Sequence, residues 1–186
     1  MYLFAGIFMT GSFMINYGQF LVAWESAYFD GILTRNYPMG AYFKSKLILF
    51  TFTGVVCYIL TIPYIYFGTE ILYMHTAAFL YNIGINSMVL KFASTYNYKR
   101  IDLSQGSAFN YQGTSAVQFV IVLPLLILPI LLFKGVEIIW GQNVGFIVLG
   151  SVGLLGLASS PYLIKEITKN FYEKKYKMAA GYRAKD

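Results

Sequence analysis

Residues that could carry chemistry are few in this sequence and lie far apart. Its 186 residues include one histidine, His75, one cysteine, Cys57, and eight acidic residues. A single imidazole without cysteine or acidic neighbours makes a poor metal site. The phosphate-binding, dinucleotide-binding, zinc-protease and serine-hydrolase signatures are all missing from the sequence. The sequence therefore predicts neither an enzyme nor a protein that holds a metal or an organic cofactor.

Both single residues have an ordinary structural interpretation. Cys57 lies inside an apolar run, where a cysteine behaves as a small buried apolar side chain. His75 lies near the start of another apolar run, at its predicted outer end, and we expect it to be a polar residue at the membrane interface. Neither position suggests a reactive group.

The composition indicates the class of protein. Hydrophobic residues make up 58% of the chain and charged residues only 12%, against about a quarter in soluble domains. Runs of about 20 apolar residues are what a helix needs to cross a hydrocarbon layer of ~30 Å. The runs do not alternate between apolar and polar residues, as membrane β-barrel strands do. We therefore predict an all-α, polytopic transmembrane helical bundle that forms one domain over residues 1–186.

Five runs are predicted to span the membrane, at residues 2–24, 47–67, 71–92, 116–133 and 144–164. The first run has no basic residue before it and no small-residue cleavage site after it, so it is not a cleavable signal peptide. Longer polar segments separate or follow the runs at residues 25–46, 93–115 and 165–186, and a short loop is predicted at 134–143.

The lysine and arginine residues predict the orientation. Thirteen of the fourteen lie in or beside the three longer polar segments, and the other is Lys134. Because cytoplasmic loops are enriched in lysine and arginine, we expect these segments and the C-terminus inside and the N-terminus outside. This rule also explains the net charge of +6, which therefore gives no reason to expect nucleic-acid binding. Five spans that start outside are unusual, so we expect a longer protein whose beginning is missing, or a natural short form.

The segment 25–46 has the pattern of a short amphipathic helix followed by a break. We predict a helix over 25–35, an interruption at Asn36-Tyr37-Pro38, and a second helix that starts near Pro38 and continues into the next span. Helical spacing places Tyr28, Phe29, Ile32 and Leu33 on one face and Ser26, Asp30 and Thr34 on the other. A helix that lies in the headgroup layer without a partner would show the same pattern.

Polar side chains inside the predicted spans have two possible roles. They could line a transport pathway, or they could form hydrogen bonds between helices. The middle of each span lacks lysine, arginine and acidic residues, which argues against a transporter driven by an ion gradient. The candidates for either role are Asn16, Gln19, Thr51, Asn82 and Asn86.

Two patterns near the C-terminus predict packing. Gly150, Gly153, Gly156 and Ser160 form a stripe of small residues that would let another helix approach closely. The charged tail after residue 164 is predicted to be helical, with Ile167, Phe171 and Met178 spaced to lie on a surface.

The segment 25–46 resembles the membrane subunits of ABC-2 type ABC transporters. Those subunits carry a stretch of the form E…G…L…P…K that leads into a span, and here Glu25, Gly31, Leu33, Pro38 and Lys46 stand in that order. The stretches WESAYFDGILTRN, NYKRIDLSQGSAFNYQGTS and KNFYEKKYKMAAGYR are similar to a group of bacterial ABC-2-like permeases. Residues 110–113 carry the middle match.

The resemblance implies a function that the motifs alone do not. It implies a permease subunit in the bacterial inner membrane that exports an unknown substrate, with ATP hydrolysis in a separate ATP-binding subunit and a second permease subunit as partner. Residues 25–35 would be the coupling helix, and the first run would correspond to the second span of the family. The residues implied to contact the ATP-binding subunit are Glu25, Tyr28, Asp30, Gly31 and Arg35.

Two other classes of protein remain as alternatives. A membrane scaffold or assembly protein would have no ATPase partner and would tolerate charge reversal at Asp30 and Arg35. A membrane-embedded enzyme that acts on lipid would need acids, histidine or cysteine clustered at one membrane face. Because Glu25, Asp30 and Asp102 are the only acids in the loops predicted to be cytoplasmic and have no histidine beside them, this alternative ranks last.

Overall fold

A computed structural model describes the backbone of residues 2–101 and 116–184, and the side chains of 3–101 and 120–184. The structure is 88% helical, and the described residues contain no strand, which confirms the all-α prediction for them. The helices are α1 (Tyr2–Gly18), a 3₁₀ helix (Ala23–Tyr28), α2 (Phe29–Thr34), α3 (Met39–Thr61) with a 3₁₀ continuation (Ile62–Phe67), α4 (Thr69–Tyr81), a π-helical turn (Asn82–Asn86), α5 (Ser87–Ser94), α6 (Ala116–Trp140), α7 (Gln142–Ala158) and α8 (Ser160–Arg183).

Two of these helices are long and apolar enough to cross a membrane. They are Met39–Phe67 and Val120–Trp140, and a third is the bent pair α7 and α8 if the pair forms one span. The chain is therefore a helical protein with candidate membrane-spanning helices. Five spans, and the side of the membrane on which each end lies, stay a prediction.

The first helix is shorter than predicted, because α1 ends at Gly18 and not near Trp24. The indole Nε1 of Trp24 donates a hydrogen bond to the carbonyl of Tyr17 over 3.1 Å. The hydroxyl of Tyr42 donates to the carbonyl of Leu21 over 2.9 Å. The two side chains therefore bond to carbonyl groups at the end of α1 and in the turn that follows it.

The loop predicted at 134–143 is wrong. Helix α6 continues through Lys134 to Trp140, and the reversal into α7 is made by Gly141 alone, which has φ +88°. Lys134 and Glu137 form an ion pair within α6, so these charged residues extend the helix instead of ending it. Glycine adopts positive φ without steric strain, which is why the turn falls there.

The last predicted span, 144–164, is interrupted. Helix α7 ends at Ala158, α8 begins at Ser160, and the two axes are bent by 61°. Pro161 stands in the first turn of α8, where its missing N–H does no harm, whereas inside a continuous helix it would remove a hydrogen bond.

Glycine residues bring α7 into backbone contact with α4 and the π-helical turn. A Cβ atom on Gly153 would lie 2.4 Å from the carbonyl oxygen of Leu80, and one on Gly84 would lie 1.8 Å from the carbonyl oxygen of Gly153. Gly156 meets Gly84 in the same way. The predicted close approach is confirmed for the glycines, whereas Ser160 belongs to α8.

The tail helix α8 is amphipathic, and its apolar face is covered. Ile167, Phe171 and Met178 are all buried, which confirms that they lie on one packing surface. Rings from two other elements cover it: Phe29 of α2 lies 6.0 Å from the Phe171 ring and 5.0 Å from the Tyr182 ring, and Phe43 of α3 lies 6.2 Å from Phe171. The tail is therefore part of the fold and holds α2 against α3.

Candidate functional site

The surface segment, residues 23–37, joins α1 to α3 and contains the predicted coupling helix. Its first half is the 3₁₀ helix and its second half is α2, so the single helix predicted over 25–35 is divided. Asn36 has φ +48°, and Pro38 caps the start of α3. The predicted break and the second helix that runs on from it are both confirmed.

The faces of the surface segment differ from the prediction at two residues. Ser26, predicted on the polar face, is buried, and its hydroxyl exchanges hydrogen bonds with the backbone of Ile101 over 3.2 and 3.3 Å. Tyr28, predicted on the apolar face, is 72% exposed. A 3₁₀ helix turns by about 120° per residue and not by about 100°, which moves both side chains relative to an α-helix. Phe29, predicted on the apolar face, is buried there.

An ion pair ties the surface segment to two long helices. The carboxylate of Glu25 lies 3.7 Å from the ammonium of Lys46 in α3, which donates a hydrogen bond to the hydroxyl of Tyr17 in α1 over 2.7 Å. The same ammonium lies 5.1 and 5.0 Å from the ring centres of Tyr17 and Tyr42, within the range of cation–π attraction. The first and last residues of the E…K stretch are thus in contact with each other.

A second ion pair ties the surface segment to the tail. The guanidinium of Arg183 donates to the two carboxylate oxygens of Asp30 over 2.6 and 3.2 Å. This hydrogen-bonded guanidinium holds the pKa of Asp30 below its ordinary value. Asp30, predicted to contact another subunit, is therefore engaged within the chain, and no local spacing in the sequence identifies Arg183 as its partner.

The outward side of the surface segment is open. Tyr28, Gly31 and Arg35 are exposed, and with Ile32 and Tyr37 they surround a depression of about 440 Å³. A Cβ atom on Gly31 would meet nothing within 4 Å. Three of the five predicted contact residues, Tyr28, Gly31 and Arg35, therefore face outward together.

A buried polar network joins α1 and α6 through the π-helical turn. The side-chain amide of Asn82 donates to the carbonyl of Ile7 and to the hydroxyl of Thr10, each over 2.9 Å. The amide of Asn86 donates to Oδ1 of Asn82 over 2.8 Å and to the carbonyl of Leu125 over 3.2 Å. The side chains of Thr10, Asn82 and Asn86 are all buried, so these bonds link helices inside the bundle.

The acceptor on α6 is available because of a proline. In an α-helix the carbonyl of residue 125 bonds to the N–H of residue 129, and here that residue is Pro129, which has no N–H. Leu125 therefore has a free carbonyl, and Asn86 uses it. Counting four residues back from Pro129 in the sequence identifies the carbonyl of Leu125 as this acceptor.

The other polar candidates serve their own helices. Asn16 donates to the carbonyl of Ser12 over 2.8 Å, Gln19 donates to that of Asn16 over 3.4 Å, and Thr51 donates to that of Leu47 over 2.9 Å. The predicted set is therefore not one cluster: Asn82 and Asn86 meet in the interior, and the other three lie apart from them.

Two charged or titratable residues are more buried than predicted. His75, expected at an interface, is 3% exposed and packs beside Gly6 of α1. Lys91, predicted from its charge to flank the second polar segment, is fully buried in α5. Its ammonium donates a hydrogen bond to the carbonyl of Ser87 over 3.2 Å and lies 5.1 Å from the ring centre of Phe50. Cys57 is only half-buried.

Within residues 2–101 and 116–184, no group of three or more His, Cys, Asp and Glu side chains could hold a metal ion. Asp102 and the middle matching stretch at 110–113 lie outside the described residues.

Comparison with known proteins gives one finding. No curated protein and no solved structure matches the chain. The profile of a family described as "Family of unknown function (DUF5687)" matches residues 1–185, which is nearly the whole length and includes every site described above. The chain therefore belongs to DUF5687, a family of unknown function.

Proposed function

We propose that this protein is the membrane (permease) subunit of an ATP-driven transporter of the ABC-2 type. The surface segment would receive motion from a separate ATP-binding subunit, and the helices would use it to export a substrate across a bacterial inner membrane. The proposal is supported by the resemblance at 25–46. The observation that carries it is that this segment is held by the fold on one side and open on the other.

A segment that transmits force must be firmly attached to the helices it moves. Glu25 pairs with Lys46 of α3, Ser26 bonds Ile101, and Phe29 packs against α8. A push on the surface segment would therefore reach α3 through an ion pair and α8 through aromatic contacts. Tyr17 would carry it into α1, because its hydroxyl accepts a hydrogen bond from the same ammonium.

The geometry narrows the residues proposed to contact the ATP-binding subunit. Glu25 and Asp30 already have partners within the chain, so we assign them the role of positioning the segment. Tyr28, Gly31 and Arg35 remain as the contact residues, with the depression between Tyr28 and Tyr37 as the place where a partner side chain inserts.

A pull-down from host membranes tests the proposal. The detergent-solubilised wild type is compared with the double variant Tyr28→Ala, Arg35→Glu and with a matched control on the tail, Tyr162→Ala, Lys165→Glu, which changes the same residue classes at exposed positions. We expect a protein with a P-loop, and ATP hydrolysis, to co-purify with the wild type and the control but not with the double variant.

A charge swap separates contact from positioning at Asp30. Asp30→Arg alone should weaken recovery of the ATPase, and adding Arg183→Asp should restore it, because the pair is rebuilt with reversed signs. If no ATPase co-purifies with any form, the permease proposal fails and the membrane scaffold is the better interpretation.

A further inference from the structure

A cavity that we call the end cavity lies at the end of the bundle away from the tail helix. It has a volume of about 300 Å³ and is formed where α1 and α4 begin, α6 ends and α7 begins. The surface segment and α8 lie at the opposite ends of these helices, so the end cavity is separate from the site described above.

The floor of the end cavity is apolar and aromatic. The rings of Phe133 and Phe146 are stacked with their centres 4.8 Å apart, and both side chains are buried. Met74 lies beside them and is also buried. Such a floor suits a flat or flexible apolar group, because stacked rings and a methionine offer contact area without a hydrogen-bonding requirement.

The described charged side chains at the rim of the end cavity are two carboxylates and one ammonium, those of Glu70, Glu137 and Lys134. Lys134 forms its ion pair with Glu137, so these two charges compensate each other. Glu70 takes part in none of the ion pairs of the described residues, and its carboxylate accepts a hydrogen bond from the neutral amide of Gln142 over 3.2 Å. Among the described side chains, one carboxylate without a cationic partner, that of Glu70, therefore lies at the mouth of the cavity, above the aromatic floor.

We infer that the end cavity binds a small amphiphilic cation, with its apolar part on Phe133 and Phe146 and its positive group beside Glu70. An anionic amphiphile would meet the same floor but would be repelled by the carboxylate. A neutral one would gain the apolar contact without the charge. The ordering of cation before neutral before anion is the signature of the site, and it does not depend on whether an ATP-binding subunit exists.

Three probes that share one apolar body test the site. The full-length chain is placed in nanodiscs of zwitterionic phosphatidylcholine, and binding of 4-phenylbutylammonium, 4-phenylbutanol and 4-phenylbutyrate is measured by calorimetry against empty nanodiscs. We expect the ammonium to bind about tenfold more tightly than the alcohol, since one charge-assisted contact is worth roughly a factor of ten. The carboxylate should bind more weakly than the alcohol.

Substitutions at the rim give effects of opposite sign. Glu70→Gln keeps the size of the side chain and an acceptor for Gln142, and should weaken binding of the ammonium about tenfold. Lys134→Gln removes the partner of Glu137 and should strengthen binding of the ammonium severalfold. Glu173→Gln on α8 makes the same charge change at an exposed site far from the cavity and should leave the affinity unchanged.

The proposal is overturned if 4-phenylbutyrate binds the wild type as well as 4-phenylbutylammonium does. It is also overturned if Glu70→Gln and Glu173→Gln have equal affinities while both melt at the wild-type temperature. No ATPase is present in these binding measurements. Failure of the permease proposal would therefore leave the cation site standing, and failure of the cation site would leave the permease proposal standing.

Discussion

Asn82 and Asn86 form hydrogen bonds inside the bundle to each other and to atoms of α1 and α6. A primary amide buried without partners would be destabilising, since no water reaches the interior of the bundle to replace them. Here Thr10, the carbonyl of Ile7 and the carbonyl released by Pro129 provide those partners. The same residues therefore fix the register of α1 and α6 relative to the π-helical turn.

Asn82→Ala should lower the free energy of unfolding by about 1–2 kcal/mol, because it removes the two bonds to α1 and one of the two acceptors of the Asn86 amide. Unfolding in mixed detergent micelles, followed by circular dichroism, measures the change. Asn16→Ala removes an exposed amide that bonds only its own helix, and should change the free energy by less than about 0.5 kcal/mol. Equal losses in the two variants would contradict a structural role for the network.

At the scale of elements, two contacts organise the chain: α7 against α4, and α8 against α2. The first depends on glycines, because backbone touches backbone at Gly84 and Gly153. The second depends on aromatic rings inside and one ion pair outside, Asp30 with Arg183.

Gly153→Ala should separate α7 from α4 and lower the unfolding temperature, because the added methyl group would lie 2.4 Å from the backbone of Leu80. Gly135→Ala is the matched control in α6: no atom lies within 4 Å of the new Cβ, so alanine should be neutral or stabilise by up to about 1 kcal/mol. Thermal unfolding of both variants in the same detergent measures the difference. A destabilised Gly135→Ala together with an unchanged Gly153→Ala would refute the tight contact.

The ion pair between α2 and α8 should depend on pH in a known direction. Arg183 lowers the pKa of Asp30 in the folded protein, so the pair stabilises docking above the ordinary pKa of a carboxyl and is lost as the pH falls through the lowered value. Amide hydrogen exchange at 180–184 should be severalfold faster in Asp30→Asn than in wild type at pH 6. The two proteins should exchange alike once the pH lies below the lowered pKa of Asp30, and a difference that persists in strong acid would contradict the assignment.

At the scale of the whole molecule, the polar segments meet at one end. The surface segment bonds Ile101, Asp30 bonds Arg183, and Thr95 accepts a hydrogen bond from Asn170. Residues of both polar loops and of the tail are thus in mutual contact, as expected if lysine and arginine mark a common side. The end cavity lies at the other end of the helices.

Cysteine labelling tests the predicted orientation. In a Cys57→Ala background, Tyr176→Cys places a thiol at an exposed site on α8, and Ile138→Cys places one at an exposed site near the end of α6. We expect a membrane-impermeant maleimide to label Ile138→Cys in intact cells and Tyr176→Cys only after the cytoplasmic side is opened. Labelling of Tyr176→Cys in intact cells would reverse the orientation.

The sequence by itself determined the helical class, the membrane character and the main breaks in the chain. These follow from composition and from local chemistry: proline before α3, glycine between α3 and α4, and a stripe of glycines in α7. Helix ends were less accurate, because the ends of α1 and α6 depend on side-chain bonds and on one glycine φ angle that an apolar run does not show.

Only the tertiary structure decided which polar residues work together. Asp30 and Arg183 are separated by 153 positions, and Asn82 and Thr10 by 72, and no local spacing relates such pairs. The exposed face of the surface segment was likewise set by the change from a 3₁₀ helix to α2 and by the cover that α8 provides. Apolar patterning places a residue inside or outside a bundle, whereas the partner it meets there depends on how the helices pack.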